Sequence, residues 1–379
     1  MIRIDRKENC TGCQACSVSC PKNCITMSDD HEGFLYPQID SDKCIDCHLC
    51  EKICPVYSTE KRINQILSAV VAINKDDETR LASTSGGVFY LLARHIIESG
   101  GCVFGAALSS DLKVHHICID AISEIKLLQG SKYVQSDVEN SYQEVKKQLQ
   151  SKRTVMFSGT PCQIAGLVRY LGKTYDNLIT LDIVCHGIPS PYTFKTYLEY
   201  LQNKHRVKIK TCSFRNKKEG WRDYSFEYLT DTGKVFYESR YRSGFLLSFL
   251  KNYTLRPSCY ECKFKGMKKD SDITLADCWT IKKYYPDMDD DKGVSLVYIN
   301  SQKGKELFYH VQDKMTYHKL DSIDDNASLL LSAERPVDRD SFWENLNNHG
   351  WEWVTKEYFN EPFHASLIRF AKRIIKKSI

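Results

Sequence analysis

The sequence predicts an α+β chain in two parts, a small cysteine-bound head and a larger mixed α/β body. Three observations predict it. Nine of the 17 cysteines fall within the first 54 residues, in a spacing that repeats. Beyond residue 68, apolar runs of strand length alternate with segments of helical periodicity. A second set of cysteines then recurs where the predicted strands end. The remainder of the composition is ordinary for a folded chain: 379 residues, 42% hydrophobic and 27% charged, which excludes wholesale disorder and a membrane-embedded chain. The opening MIRIDRKENC is charged from its third residue and has no apolar leader core. No apolar run approaches the roughly 18 residues needed to span a bilayer. A cytoplasmic location is therefore expected, and in that reducing compartment clustered cysteines hold metal or do redox work more often than they form disulfides. The net charge of +5 is too mild for a nucleic-acid binder. It is uneven, however: residues 1–58 carry 6 Lys and Arg against 9 Asp and Glu, and the remainder 47 against 39. An acidic head on a basic body suits docking, or is ordinary surface variation.

The head comes first. Cys10-x2-Cys13-x2-Cys16-x3-Cys20-Pro21 is followed by Cys44-x2-Cys47-x2-Cys50-x3-Cys54-Pro55. Three thiolates within seven residues wrap three iron corners of a cubane, and a cysteine from the other run reaches the fourth. Residues 1–58 are thus predicted to be a bacterial-type dicluster ferredoxin domain with two [4Fe–4S] clusters. The first takes Cys10, Cys13, Cys16 and Cys54; the second takes Cys44, Cys47, Cys50 and Cys20. A zinc ribbon, with paired C-x2-C units, does not fit. Cys24 lies outside the pattern and reads as a packed thiol. The segment from Phe34 to Ile39 reads as a strand.

The body follows a connector over 56–68. Ala69–Ile73 reads as a strand, and Ser83-Thr-Ser-Gly-Gly87 opens a helix with Val88, Leu91, Leu92, His95 and Ile96 on one side. A Ser/Gly turn at a helix N-terminus suits an anion, although Ser83 or Ser85 equally suits a simple cap. Gly130-Ser-Lys-Tyr133 is a second loop suited to a flat phosphorylated cofactor. Strand Thr154–Phe157 runs into Cys162 and a helix; strand Leu178–Val184 runs into Cys185, His186 and another helix. Both cysteines stand at strand C-termini, where open α/β sheets bind ligands. Three later strands, Lys208–Phe214, Tyr224–Leu229 and Lys234–Glu238, read as antiparallel. Cys259-x2-Cys262 completes a set of four, with Cys162 and Cys185, that can hold a third metal centre; spacing alone does not separate zinc from iron, or either from structural thiols. Cys102, Cys118 and Cys212 read as strand-core residues.

The order of SGGVF, GSKYVQS, SGTPCQIAGL, DIVCHGIPSP, SFRNKKEGW, RPSCYECKF, SDITLADCW and KGVSLVYIN, behind the paired cysteine runs, resembles the coenzyme F420 hydrogenase/dehydrogenase beta-subunit family up to about residue 312. The resemblance implies an iron–sulfur flavoprotein with an FAD-binding mixed α/β domain over 59–312. It also implies a third [4Fe–4S] cluster on Cys162, Cys185, Cys259 and Cys262. Cys278 stands where the family often has a small or aromatic residue, and is held as a reserve ligand. Substrates within the family are mixed. They are coenzyme F420 in methanogen-type members, chlorophyll-type pigments in plant and cyanobacterial relatives, and unassigned in many bacterial members, which often accompany polysaccharide biosynthesis.

On this reading the chain is an oxidoreductase that passes electrons from a ferredoxin-type donor through its clusters to FAD and on to an organic acceptor, or in reverse. The alternative is a non-catalytic subunit relaying electrons to a partner protein. Ser85, Gly86, Gly87, Ser131, Lys132 and Tyr133 are the expected flavin contacts. His186, Arg215 and Lys217 are the candidate catalytic residues; Arg215, Lys217 and Trp221 would suit an anionic planar substrate. His186 alternatively orients a cluster ligand. Residues 313–379 are expected to form a helical extension. Its tail from His364 to Ile379 sets Leu367, Phe370, Ala371, Ile374 and Ile375 beside basic residues, a pattern for docking on the body or on a membrane surface.

Overall fold

The computed structural model describes residues 2–57, 64–321 and 327–360. In the head, an antiparallel hairpin of β1 (Ile25–Asp29) and β2 (Leu35–Ile39) separates two helical turns, Ala15–Val18 and Leu49–Lys52. Each turn follows a left-handed residue, Gln14 (φ 64°) or His48 (φ 57°). The interior is scant: Ile2, Ile25 and the sulfurs of Cys16, Cys24 and Cys54. A unit of this size with so few apolar side chains needs a staple, and inorganic clusters serve as one.

The body begins with β3 (Asn64–Gln65) and then gives one large sheet β4 (Ser68–Asn74), β5 (Cys102–Leu108), β6 (Val114–Ile119), β7 (Val155–Gly159) and β8 (Leu178–Ile183). A separate antiparallel layer is built from β9 (Ile209–Asn216), β10 (Ser225–Thr230) and β11 (Val235–Ser239). After it, β12 (Lys268–Lys269) pairs with β3, and β13 (Ile273–Asp277), β14 (Ser295–Ile299) and β15 (Met315–Leu320) complete the large sheet. Its order is β15-β4-β14-β13-β8-β7-β5-β6. Strands β5, β7, β8 and β13 run parallel, and the outer pairings are antiparallel. Parallel strands are covered on both faces, and alternation sorts their residues. Val103 and Met156 face a core with Leu92 and Val297, whereas Phe104 and Phe157 face another with Tyr142, Ile164 and Leu167.

Several expectations are corrected. Strand β15, beyond residue 312, pairs with β4 from Ala69 to Asn74 and so belongs to the body's sheet. Cys102 is buried, but Cys118 is exposed on the edge strand β6 and Cys212 is only half-buried. His95 is half-buried and stacks on His310 with ring centroids 4.8 Å apart. The helix Arg339–Phe359, bent at Gly350, packs on the helices Pro191–His205 and Gly244–Leu250. The tail from His364 lies outside the described residues. Among those described, no helix is long and apolar enough to cross a membrane.

Candidate functional site

In the head the two thiol sets separate in space. Cys20, Cys44, Cys47 and Cys50 line one hollow between the hairpin and the second helical turn. Cys24 joins them, its sulfur 3.3 Å from that of Cys20. Cys13 and Cys16 sit deeper; burial pushes the Cys16 thiol up to about 12, and charge on Cys10 and Cys54 pushes the same way. The head is locked to the body. Arg256, fully buried, donates from Nε to the Cys10 carbonyl (2.7 Å) and from Nη2 to the Leu35 carbonyl (2.9 Å). A Cβ on Gly166 would lie 3.0 Å from that of Cys13, so the body helix Pro161–Leu171 runs directly beneath the first cysteine loop.

Four body cysteines converge although they are scattered in sequence. Cys162 is the second residue of the helix after β7, where N–H groups and the helix dipole favour a thiolate. Cys185 follows β8 by two residues, and Cys259 ends one 3₁₀ turn with Cys262 just beyond. All four line a single cavity, with Arg256 and Thr11 on the head side and His186 and Lys265 on the other. The Ile188 N–H points at the Cys259 sulfur (3.4 Å), and the Thr160 hydroxyl lies 3.2 Å from that of Cys162. Burial pushes the Cys162 thiol up to about 11 and Cys259 up to about 12, with charge on Cys262 adding to both and charge on Cys162 adding to Cys259. Cys185 is raised by burial and then by Cys259. Without a cation these would be neutral thiols, and bound iron would draw off their protons. Cys278 is elsewhere: fully buried beside Trp221, Ile281 and Met288.

A cleft opens from the same wall, at the carboxyl ends of β7, β8 and β13. It encloses about 2720 Å³ of space between atoms, its open mouth included, and shares residues Ile183–Ile188 with the cysteine cavity. Ser85, Gly87, Ser131, Lys132 and Tyr133 all line it. Their two loops touch, with the Ser131 N–H donating to Thr84 Oγ1 at 2.7 Å. Gly87 is the left-handed cap (φ 84°) of the helix Val88–Glu98, and no side chain caps that helix end by a hydrogen bond. Lys132 turns back to the carbonyls of Leu127 and Gln129, both at 2.9 Å, and burial pushes its ammonium down to about 7.

Gly86 does not face the cleft. A Cβ there would lie 2.3 Å from the Ala72 carbonyl oxygen, so its role is close packing of its loop on β4. Lys217 does not line the cleft either: its Nζ donates to the carbonyls of Arg80 (2.9 Å), Ser85 (2.8 Å) and Lys292 (2.7 Å) and fastens the loop that carries Ser85. Trp221 is fully buried, stacked on Trp279 at 4.5 Å.

Arg215 does line the cleft. Its Nη1 donates to Asp277 Oδ2 at 2.6 Å, while Nε and Nη2 are buried with no hydrogen-bond partner. Orphaned donors on a buried cation point to an anionic or carbonyl ligand group. His186 borders both cavity and cleft. The Asn252 amide N–H2 donates to the Glu334 carbonyl, which turns Asn252 Oδ1 to accept from His186 Nε2 at 2.6 Å and so assigns the proton to Nε2. Burial lowers its pKa. Sequence reasoning missed Arg256, Asp277 and His116 in this region. Asp277 and Arg256 sit inside quoted motifs, SDITLADCW and RPSCYECKF, but their partners lie far along the chain; His116 has no motif at all.

A cysteine-rich head with two thiol sets, fused to an α/β body carrying a third set beside a large cleft, defines an iron–sulfur electron-transfer protein. A 4Fe-4S dicluster domain model matches residues 9–57, and the model for the C terminus of the coenzyme F420 hydrogenase/dehydrogenase beta subunit matches residues 152–325. The chain thus carries a C-terminal domain of that beta-subunit family over residues 152–325, behind a dicluster domain over residues 9–57. Ferredoxin 7Fe of Hydrogenibacillus schlegelii is 45% identical over 51 residues, 13% of this chain and 59% of the relative. An uncharacterized polyferredoxin-like protein of Methanocaldococcus jannaschii is 32% identical over 68 residues, 16% of this chain and 40% of the relative. The chain thus spans between two fifths and three fifths of the length of these curated relatives. Among solved structures, the xenon-derivatized F420-reducing [NiFe] hydrogenase complex of Methanosarcina barkeri aligns at 17% identity with a TM-score of 0.46, covering 78% of this chain and 91% of that one.

Proposed function

We propose that the chain is an iron–sulfur flavoprotein oxidoreductase. It would pass electrons between a ferredoxin-type donor and an organic acceptor, coenzyme F420-like or of another class and linked in some bacterial members to polysaccharide biosynthesis, in either direction. The observation that carries this reading is the shared wall: residues Ile183–Ile188 line both the four-cysteine cavity and the large cleft. Cys10, Cys13, Cys16 and Cys54 would hold one cubane, Cys20, Cys44, Cys47 and Cys50 a second, and Cys162, Cys185, Cys259 and Cys262 a third. Among the described residues, no three His, Cys, Asp or Glu side chains close on a point where one metal ion would sit. Thiols spaced round a hollow favour a cluster, which takes one thiolate per iron, over a single zinc.

FAD fits the cleft through the N-terminus of the helix Val88–Glu98 and through the orphaned Arg215 nitrogens. When bound, clusters exchange single electrons and a flavin exchanges two. The chain's own residues would do the rest. Ser85, Gly87 and Ser131 would bind phosphate oxygens, Tyr133 would pack on a ring, and Arg215 would hold negative charge at the cleft floor. His186, neutral with Nε2–H fixed on Asn252, would keep its other nitrogen available to accept a hydrogen bond. Anaerobic purification with iron and flavin assay tests this: about twelve irons per chain and released FAD are expected. About eight irons and no flavin would overturn it, leaving a ferredoxin fused to an inert body.

A further inference from the structure

Arg256 is 0% exposed, yet among the described residues no carboxylate pairs with it. Its hydrogen-bond partners are the carbonyls of Cys10 and Leu35, the Gln135 side-chain oxygen (2.9 Å) and the Cys10 sulfur, 3.5 Å from Nη2. The rings of Tyr36 and Phe34 flank it at 4.3 and 5.3 Å. Such partners satisfy a guanidinium's donors and leave its charge uncompensated, and a buried charge is expensive unless something of opposite sign lies near. Opposite charge is available on two sides. Cys10 belongs to the head's first thiol set. Arg256 also lines the body's four-cysteine cavity, beside Cys162, Cys185, Cys259 and Cys262.

We infer that Arg256 is a positioning residue: the shared counter-ion between the head's first cluster and the body's third, holding both reduction potentials up and the two groups in register. The inference rests on the three-cluster reading. A reduced cluster carries one more negative charge than an oxidised one, so a cation beside it favours reduction. The planar fork explains arginine here, since lysine's single ammonium spans fewer of these acceptors.

The test is a potentiometric titration of the full-length, cluster-loaded protein, followed by electron paramagnetic resonance. Arg256→Gln is expected to lower the reduction equilibrium of the first and third clusters at least tenfold each, about 59 mV for a one-electron couple. The second cluster, on Cys20, Cys44, Cys47 and Cys50, is the internal control and stays unshifted. Arg256→Lys keeps the charge and gives up the fork, so both midpoints should stay within about threefold of wild type. A cluster-loaded Arg256→Gln protein with unshifted midpoints overturns the inference. Where Arg256→Gln fails to assemble, Arg256→Lys carries the test, and a tenfold fall in either midpoint overturns it. Eight irons and two signals in the wild type defeat the three-cluster reading instead, and so separate the two failures.

Discussion

At the scale of single residues, the cysteines divide by what surrounds them. Cys162 faces three other thiols across a cavity, whereas Cys278 is packed among Trp221, Ile281 and Met288. Cys162→Ala should therefore lower the iron content by about four per chain and leave the head's eight. Cys278→Ala should leave iron unchanged and cost on the order of 1 kcal/mol through a small cavity. An iron assay beside a denaturation curve checks both. His116 gives a pH prediction. It is 4% exposed, stacked on Phe157 at 5.1 Å, and accepts from Ser136 Oγ at Nδ1 while Nε2 donates to the Ser158 carbonyl. Burial lowers its pKa from 6.5 to about 4. The fold thus requires the neutral ring, and this stability is present above pH 6.5 and lost as pH falls through 4. The loss reaches about 3 kcal/mol. Denaturation curves between pH 7 and pH 4 should fall more shallowly for His116→Gln than for wild type.

At the scale of elements, Gly86 shows how a motif is held. The SGGVF turn is fixed from behind, with the Gly86 N–H donating to Ser295 Oγ (3.0 Å) and the Ser85 hydroxyl to the Val294 carbonyl (2.6 Å). Gly86→Ala places a methyl against the backbone of both β4 and β14. Overpacking of this kind should destabilise the chain by about 1–3 kcal/mol in urea unfolding, and flavin retention should fall with it. The turn is visible in the sequence because Ser and Gly before an apolar helical pattern are a local signal. For the same reason the paired cysteine runs, the strands ending at Cys162 and Cys185, and the antiparallel trio β9–β11 are legible. Local patterns do not say which glycine faces outward or where a lysine's ammonium goes. Gly86, Lys217 and Trp221 therefore read as cleft residues, and tertiary packing takes each elsewhere. The role of Arg256 is hidden for a related reason: it opens RPSCYECKF, but its partner Cys10 is 246 residues away.

At the scale of the whole molecule, the head is fixed by ion-pair chemistry as well as by its cysteine loop. Glu32, in the turn between β1 and β2, accepts from Arg339 Nη1 at 2.7 Å and from Nη2 at 2.5 Å, and both side chains are at least 94% buried. Ser190 donates to the Glu32 carbonyl, and Gly33 (φ 78°) lets the turn approach the Tyr192 backbone where any Cβ would clash. Arg339 also donates to the Leu255 carbonyl and the Tyr260 hydroxyl, each at 2.9 Å, so one guanidinium ties the head's hairpin to the helix Arg339–Phe359 and to the segment on both sides of Cys259. Removing one partner strands a buried charge. Glu32→Ala should therefore cost about 3–5 kcal/mol, whereas the double change Glu32→Leu with Arg339→Met should recover most of that, because burying the pair itself carries a desolvation penalty. The two halves should also part company. In wild type, bleaching of the iron–sulfur absorbance and loss of far-ultraviolet ellipticity should coincide along a denaturant series, as expected when docking makes head and body one cooperative unit. In Glu32→Ala the head's visible absorbance should bleach at lower denaturant than the body's helices melt. Coincident transitions in that variant would mean the head is held by its cysteine loop and Arg256 alone, with the Glu32–Arg339 pair contributing nothing to the join.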